Sequence, residues 1–122
     1  MHPAVHTDLI NRSQLASFIA IGREDFLNLL GDVVRDVPRH LDRIRNVVTR
    51  GDENGLKDAA HSLRGMLSYF GCIALTARLA SFENRETVAP ELAGSLHTEL
   101  ETLWESSLAA INEWEKSVPE FR

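Results

Sequence analysis

The chain has 122 residues, 43% of them hydrophobic and 25% charged, with a formal net charge of −5 and a single cysteine, Cys72. That length suits one domain with a real core, the acidic balance argues against nucleic acid as a main partner, and no apolar run approaches the roughly 20 residues that span a bilayer. One cysteine excludes an internal disulfide and fits a reducing, cytoplasmic setting.

Residues 1–12, with Pro3 among mixed polar residues, read as a flexible lead-in, and the polar run Met1–Asp8 does not read as a signal peptide. Ser13 is placed to cap a short helix over 14–21 whose apolar residues are Leu15, Phe18 and Ile19, and Gly22 stops it. A long helix over 24–49 follows. Phe26, Leu30, Val33, Val37, Leu41, Ile44 and Val48 recur there at three- and four-residue steps, with Glu24 and Asp25 at its positive end. Pro38 is expected to kink or split this helix, because it cannot donate to the Val34 carbonyl.

Gly51 and Asp52 read as a stop and a new cap. The next helix covers 53–70, Gly71 breaks or bends it, and a further helix covers 73–84 with Leu75, Leu79 and Phe82 inward. Residues 85–90 form a loop, and Pro90 can enter a first helical turn. The last helix runs over 91–117 on a stripe of Leu92, Leu96, Leu100, Leu103, Ser107, Ile111 and Trp114. Residues 119–122 are left as a C-terminal tail, so the domain proper spans 13–118. The pattern predicts an all-α protein: an antiparallel four-helix bundle with a short additional N-terminal helix.

Charge is segregated along this bundle. Residues 83–122 hold nine acidic and three basic residues, whereas 39–64 hold six basic and four acidic. The basic share lies near the most informative stretch, residues 60–71. On a helical wheel Leu56, Ala59, Ala60, Leu63, Met66, Leu67 and Phe70 fall within roughly 60° of one direction. His61 falls about 160° away, on the wet side. Lys57 and Arg64 lie one turn before and after it, within reach of whatever the imidazole holds. Gly65 is out of place, since a glycine inside a helix costs about 1 kcal/mol relative to alanine. Beside an exposed histidine, its missing side chain opens room for a partner to approach the ring.

These residues resemble the histidine-phosphotransfer (HPt) domain family. The family signature is His, any residue, a hydrophobic, Lys or Arg, Gly, then Gly ten after the His. A small residue, a Leu three further on and a hydrophobic-Glu ending follow. The chain supplies His61, Leu63, Arg64, Gly65, Gly71, Cys72, Leu75, Leu79, Phe82 and Glu83. Cys72 stands where alanine is usual and Phe82 where leucine is usual. Met66 and Leu67 are bulkier than common. The ordered match covers about two dozen residues; the rest agrees in length and helical pattern.

The resemblance implies that His61 accepts a phosphoryl group from an aspartyl phosphate on a receiver domain and passes it to another receiver. It implies receiver domains of response regulators or of a hybrid sensor kinase as partners, and Mg²⁺ on the receiver with no cofactor in this domain. A monomer without membrane insertion is expected. Neutral imidazole is a nucleophile that yields a phosphoramidate. Lys57 and Arg64 place positive charge where phosphoryl oxygens sit, and Ser68, two turns on, is a weaker hydrogen-bonding candidate. For Lys57 a simple solvated charge is as good a reading.

Gly71 reads as a bend and Cys72 as a small buried hydrophobe. Trp104 and Trp114 read as packing residues, and His2, His6, His40 and His97 as surface residues without ligand spacing. Arg39, Arg43, Arg45 and Arg50 read as a solvated face. Two other functions stay open: a helical interaction module that regulates a receiver or sensor kinase without carrying phosphate, and a chemotaxis-kinase-type phosphoacceptor domain fed by ATP through a separate catalytic domain. An independent enzyme has no supporting constellation.

Overall fold

In the computed structural model, which describes residues 8–122, the wheel positions around His61 sort as the pattern requires. Leu56, Ala59, Ala60, Leu63, Leu67 and Phe70 are buried, Met66 is half-buried, and His61 is exposed. The readings of His2, Pro3 and His6 fall outside the described residues. The elements are α1 (Arg12–Leu15, continued by a 3-10 turn, Ala16–Ile21), α2 (Arg23–Thr49), α3 (Glu53–Leu67, closed by a 3-10 turn, Ser68–Phe70), α4 (Ile73–Glu83) and α5 (Ala93–Ser117). α3 packs on α2 and α4, and α5 closes the ring against the same two helices. Short connections make each helix antiparallel to the one before it. The result is a four-helix bundle with α1 laid on one end.

The boundaries differ from the pattern where local chemistry intervenes. Asn11, not Ser13, caps α1: its Oδ1 accepts from the Gln14 N–H at 3.1 Å. The part of the lead-in that is described is packed, with Ile10 buried and the Asn11 N–H donating to the Gly71 carbonyl at 2.7 Å. Only one α-helical turn forms before the chain tightens into 3-10 geometry, which suits a segment this short. α2 runs uninterrupted through Pro38 on its exposed face. Asp52 caps α3 as its type predicts, accepting from the Gly55 N–H at 2.8 Å.

The chain end is a second difference. Residues 119–122 are no loose tail, because Pro119–Phe121 form a 3-10 turn that buries Phe121. Its ring stacks on Phe26 at 5.6 Å and meets Trp114 edge-on at 5.7 Å. Phe18 (5.1 Å) and Phe70 (6.2 Å) complete an aromatic cluster around Phe26. Such pairs add to plain area burial, and the cluster seals the end of the bundle where the His61 helix finishes. Trp104 and Trp114 are both buried, as packing residues should be.

Gly71 connects this end to α3. It sits at φ +62°, and a Cβ there meets the Asn11 carbonyl oxygen at 2.8 Å. The turn thus needs glycine twice, for the left-handed backbone and for the close approach of the N-terminal segment. Gly71→Ala is expected to lower stability by about 2 kcal/mol. The change should appear as a drop in urea midpoint at unchanged m-value, and an unchanged midpoint refutes the double requirement.

Candidate functional site

His61 projects from the middle of α3, with its side chain 69% exposed, and its ring is held from one side only. Nδ1 lies 2.7 Å from Oε1 of Glu83, the last residue of α4. The same Oε1 accepts from Nη2 of Arg64 at 3.0 Å, and Glu83 Oε2 accepts from Arg64 Nε. One carboxylate therefore ties together two residues of α3 that stand three apart. The hydrogen bonds from Arg64 hold the Glu83 carboxyl at about 2, against burial, which opposes them, and the contact with His61 adds a smaller lowering effect.

The Nδ1–Oε1 contact selects the tautomer of the neutral ring. An ionised carboxylate only accepts, so the neutral imidazole must carry its proton on Nδ1 and donate it to Glu83. The lone pair then sits on Nε2, on the solvent side. Glu83 closes the motif in the sequence, but its spacing gave no hint of this role. The contact spans 22 residues and depends on the register of two antiparallel helices.

Arg64 is placed differently from the expected second cation beside the phosphoryl oxygens. Its guanidinium is engaged by Glu83, whose hydrogen bonds and charge raise the Arg64 pKa. Arg64 and His61 meet on the same Glu83 oxygen. Ser68 is likewise occupied, its hydroxyl donating to the Gly65 carbonyl at 2.8 Å and its own carbonyl accepting from Gln14 Nε2. Lys57 is exposed. Arg64 and Ser68 line one hollow with Gln14, Cys72 and Thr76, while Lys57 opens into another. Lys57 and Arg64, expected to bracket His61, thus line different hollows. Around Gly65 a Cβ meets nothing within 4 Å, so the surface beside the ring is open.

Beyond Gly65 on the α2 side lies an apolar groove of about 390 Å³ lined by Phe18, Leu29, Val33, Met66, Tyr69 and Phe70, with Asp32 and Asp36 at its edge. Tyr69 is 70% exposed and Leu29 43%. The arginine strip divides: Arg39, Arg43 and Arg50 line a hollow against α3 together with Asp42, Asp52 and Asp58, whereas Arg45 lies toward Gly94 on α5.

The two other described histidines, His40 and His97, are less free than a surface reading allows. His40 is half-buried, and burial lowers its pKa. His97, with its side chain 16% exposed, lies 3.5 Å from Asp42. Cys72 is buried and its thiol is pushed up to about 12, which leaves it unreactive. Among the described residues no group of three or more His, Cys, Asp or Glu is placed to hold a metal ion. No described helix is long and apolar enough to cross a membrane.

The Hpt domain model matches residues 28–110, well over half of the chain, and so includes His61, Arg64, Gly65, Gly71 and Glu83. Comparison with curated proteins and with solved structures returned no match.

Proposed function

The chain belongs to the Hpt domain family, whose work is histidine phosphotransfer in phosphorelays, and on that footing we propose that His61 carries the phosphoryl group between two receiver domains. The observation that carries this reading is the exposed imidazole held at Nδ1 by Glu83 at 2.7 Å, with Nε2 toward solvent. In the step, the Nε2 lone pair attacks the phosphorus of an aspartyl phosphate in line. The N–P bond forms as the P–O bond to the aspartate breaks, and the freed carboxylate leaves with the electron pair. The Nδ1 proton stays on the ring, so the phosphorylated imidazole is cationic and faces the Glu83 carboxylate. Onward transfer reverses these events on the second receiver.

The donor set of this chain offers no metal cluster among its described residues. In this proposal the Mg²⁺ belongs to the receiver, where it neutralises phosphoryl charge. The receiver docks over Gly65 and into the apolar groove that ends at Tyr69, and that approach excludes water from Nε2. Labelled phosphate moving from a phosphorylated receiver to this chain, acid-labile and base-stable, is the expected result. Absence of label with every receiver of the same genome favours the interaction module. Label that requires ATP and a separate kinase catalytic domain favours the chemotaxis-type reading.

Gly65 gives an independent check of the close approach. Gly65→Ala should raise helix stability by up to about 1 kcal/mol, since its Cβ meets nothing. Gly65→Gln should slow transfer by roughly tenfold by holding the receiver off the ring. Equal transfer rates for Gly65→Gln and wild type remove the close-approach role.

A further inference from the structure

Two helices of this chain end in the same backbone motif, and only one of them uses glycine. α2 closes on Gly51 at φ +69°, whose N–H donates to the Val48 carbonyl at 3.0 Å while the Asp52 N–H reaches the Val47 carbonyl at 2.9 Å. α4 closes on Arg85 at φ +74°, whose N–H donates to the Phe82 carbonyl at 3.3 Å while the Glu86 N–H reaches the Ser81 carbonyl at 3.1 Å. This pattern favours glycine at the left-handed position, and a long side chain there is strained. Arg85 is the one non-glycine residue at positive φ among the described residues.

No hydrogen bond or ion pair of its side chain among the described residues explains the arginine. Its side chain is exposed and forms no ion pair among the described residues, whereas nearby Arg78 is bonded to both Glu86 at 2.9 Å and Glu99. Arg85 lines a hollow of about 280 Å³ between the first turns of α3 and the end of α4, and Lys57 lines it from the other side. Lys57 also forms no ion pair among the described residues. Of the two acids at this hollow, Glu86 shares Arg78 with Glu99, and Glu53, in the first turn of α3, forms no ion pair among the described residues. Two uncommitted cations thus face one opening, Lys57 one turn before His61 and Arg85 two residues after Glu83. Arg64, the cation of the motif, is already spent on Glu83.

Resting on the phosphotransfer reading, we propose that Arg85 and Lys57 form a docking subsite for carboxylate side chains on the face of the receiver that meets His61. The chain's net charge of −5 repels such a partner over most of the surface. A local pair of free cations beside the site offsets that repulsion and fixes the partner's orientation. A glycine at position 85 relieves the backbone strain and gives up one of the two cations, so the strain and the docking role go together.

The test titrates purified, unphosphorylated receiver domains of the same genome against the ¹⁵N-labelled chain and its variants. Arg85→Gly and Lys57→Ala should each weaken binding by about three- to fivefold. The losses should shrink as ionic strength rises from about 0.05 to about 0.3 M, and Arg85→Lys should recover most of the affinity. Arg85→Gly should also raise Tm by about 3 °C, which shows that the weaker binding is not a folding defect. The lifetime of phosphorylated His61 in the isolated chain should not change in Arg85→Gly.

A changed lifetime means that the cation serves the phosphoryl group and overturns the docking assignment. Binding that is insensitive to both variants overturns it too, even where His61 is labelled. Binding by no receiver overturns it together with the phosphotransfer reading. Binding that depends on Arg85 in a chain that never takes label sustains the subsite and overturns phosphotransfer alone.

Discussion

His61→Gln leaves the bundle folded and reduces phosphoryl acceptance from a receiver by a factor on the order of 10³ or more. Glutamine offers no lone pair of comparable nucleophilicity at the position of Nε2. The imidazole is largely exposed, so little apolar burial is lost. Glu83 keeps both hydrogen bonds from Arg64, so no buried charge is left unpaired. Helical circular dichroism should therefore be unchanged, and the shift in stability should stay within about 1 kcal/mol. The other described histidines make poor substitutes. His40 is half-buried, and His97 is largely covered beside Asp42. Transfer that survives in His61→Gln refutes the assignment of the phosphoacceptor.

The features that sequence alone revealed are those a single helix encodes. The stripe from Leu56 to Phe70 and the outward face of His61 follow from 3.6-residue periodicity, and Asp52 and Gly51 act through neighbours three or four residues away. What escaped is non-local. The Glu83 contact needs α3 and α4 in one register, which the turn at Gly71 sets while Asn11 packs against it. The sequence shows Arg64 beside His61 on the same helix, and so suggests a phosphate contact. A carboxylate arriving from another helix captures the guanidinium first. Phe121 escaped for a related reason: the five residues after the end of α5 are too few to show periodicity, yet the aromatic cluster around Phe26 has a place for that ring. Arg85 could not be recognised as strained, because its left-handed backbone follows from where α4 stops.

Glu83 is where the folded chain adds most to the motif, and its removal should cost the most after that of His61 itself. The carboxylate does two things for the ring. Before transfer it keeps the proton on Nδ1 and the lone pair on Nε2. In the proposed transfer it faces the positive charge that develops as the N–P bond forms, from a position that needs no rearrangement. Glu83→Ala removes both and also frees Arg64 to move toward the ring. The rate at saturating receiver should fall by roughly 10- to 100-fold, with little change in half-saturation, because Glu83 is mostly covered and its partners are His61 and Arg64.

Glu83→Gln separates the two contributions. Its carbonyl oxygen can still accept from Nδ1, but the charge is gone and its amide donors face a guanidinium that only donates. It should lie between wild type and Glu83→Ala in rate. Its stability cost carries a pH signature with a fixed sign. The carboxyl titrates at about 2 in the folded chain, well below its ordinary range. Its contribution is therefore complete above the unfolded carboxylate pKa and is lost as pH falls toward about 2. The difference in urea midpoint between wild type and Glu83→Gln should be constant from neutral pH down to about pH 5 and should then close. A Glu83→Gln chain that transfers at the wild-type rate would leave the carboxylate a structural clamp for Arg64 and return the orientation of His61 to the receiver.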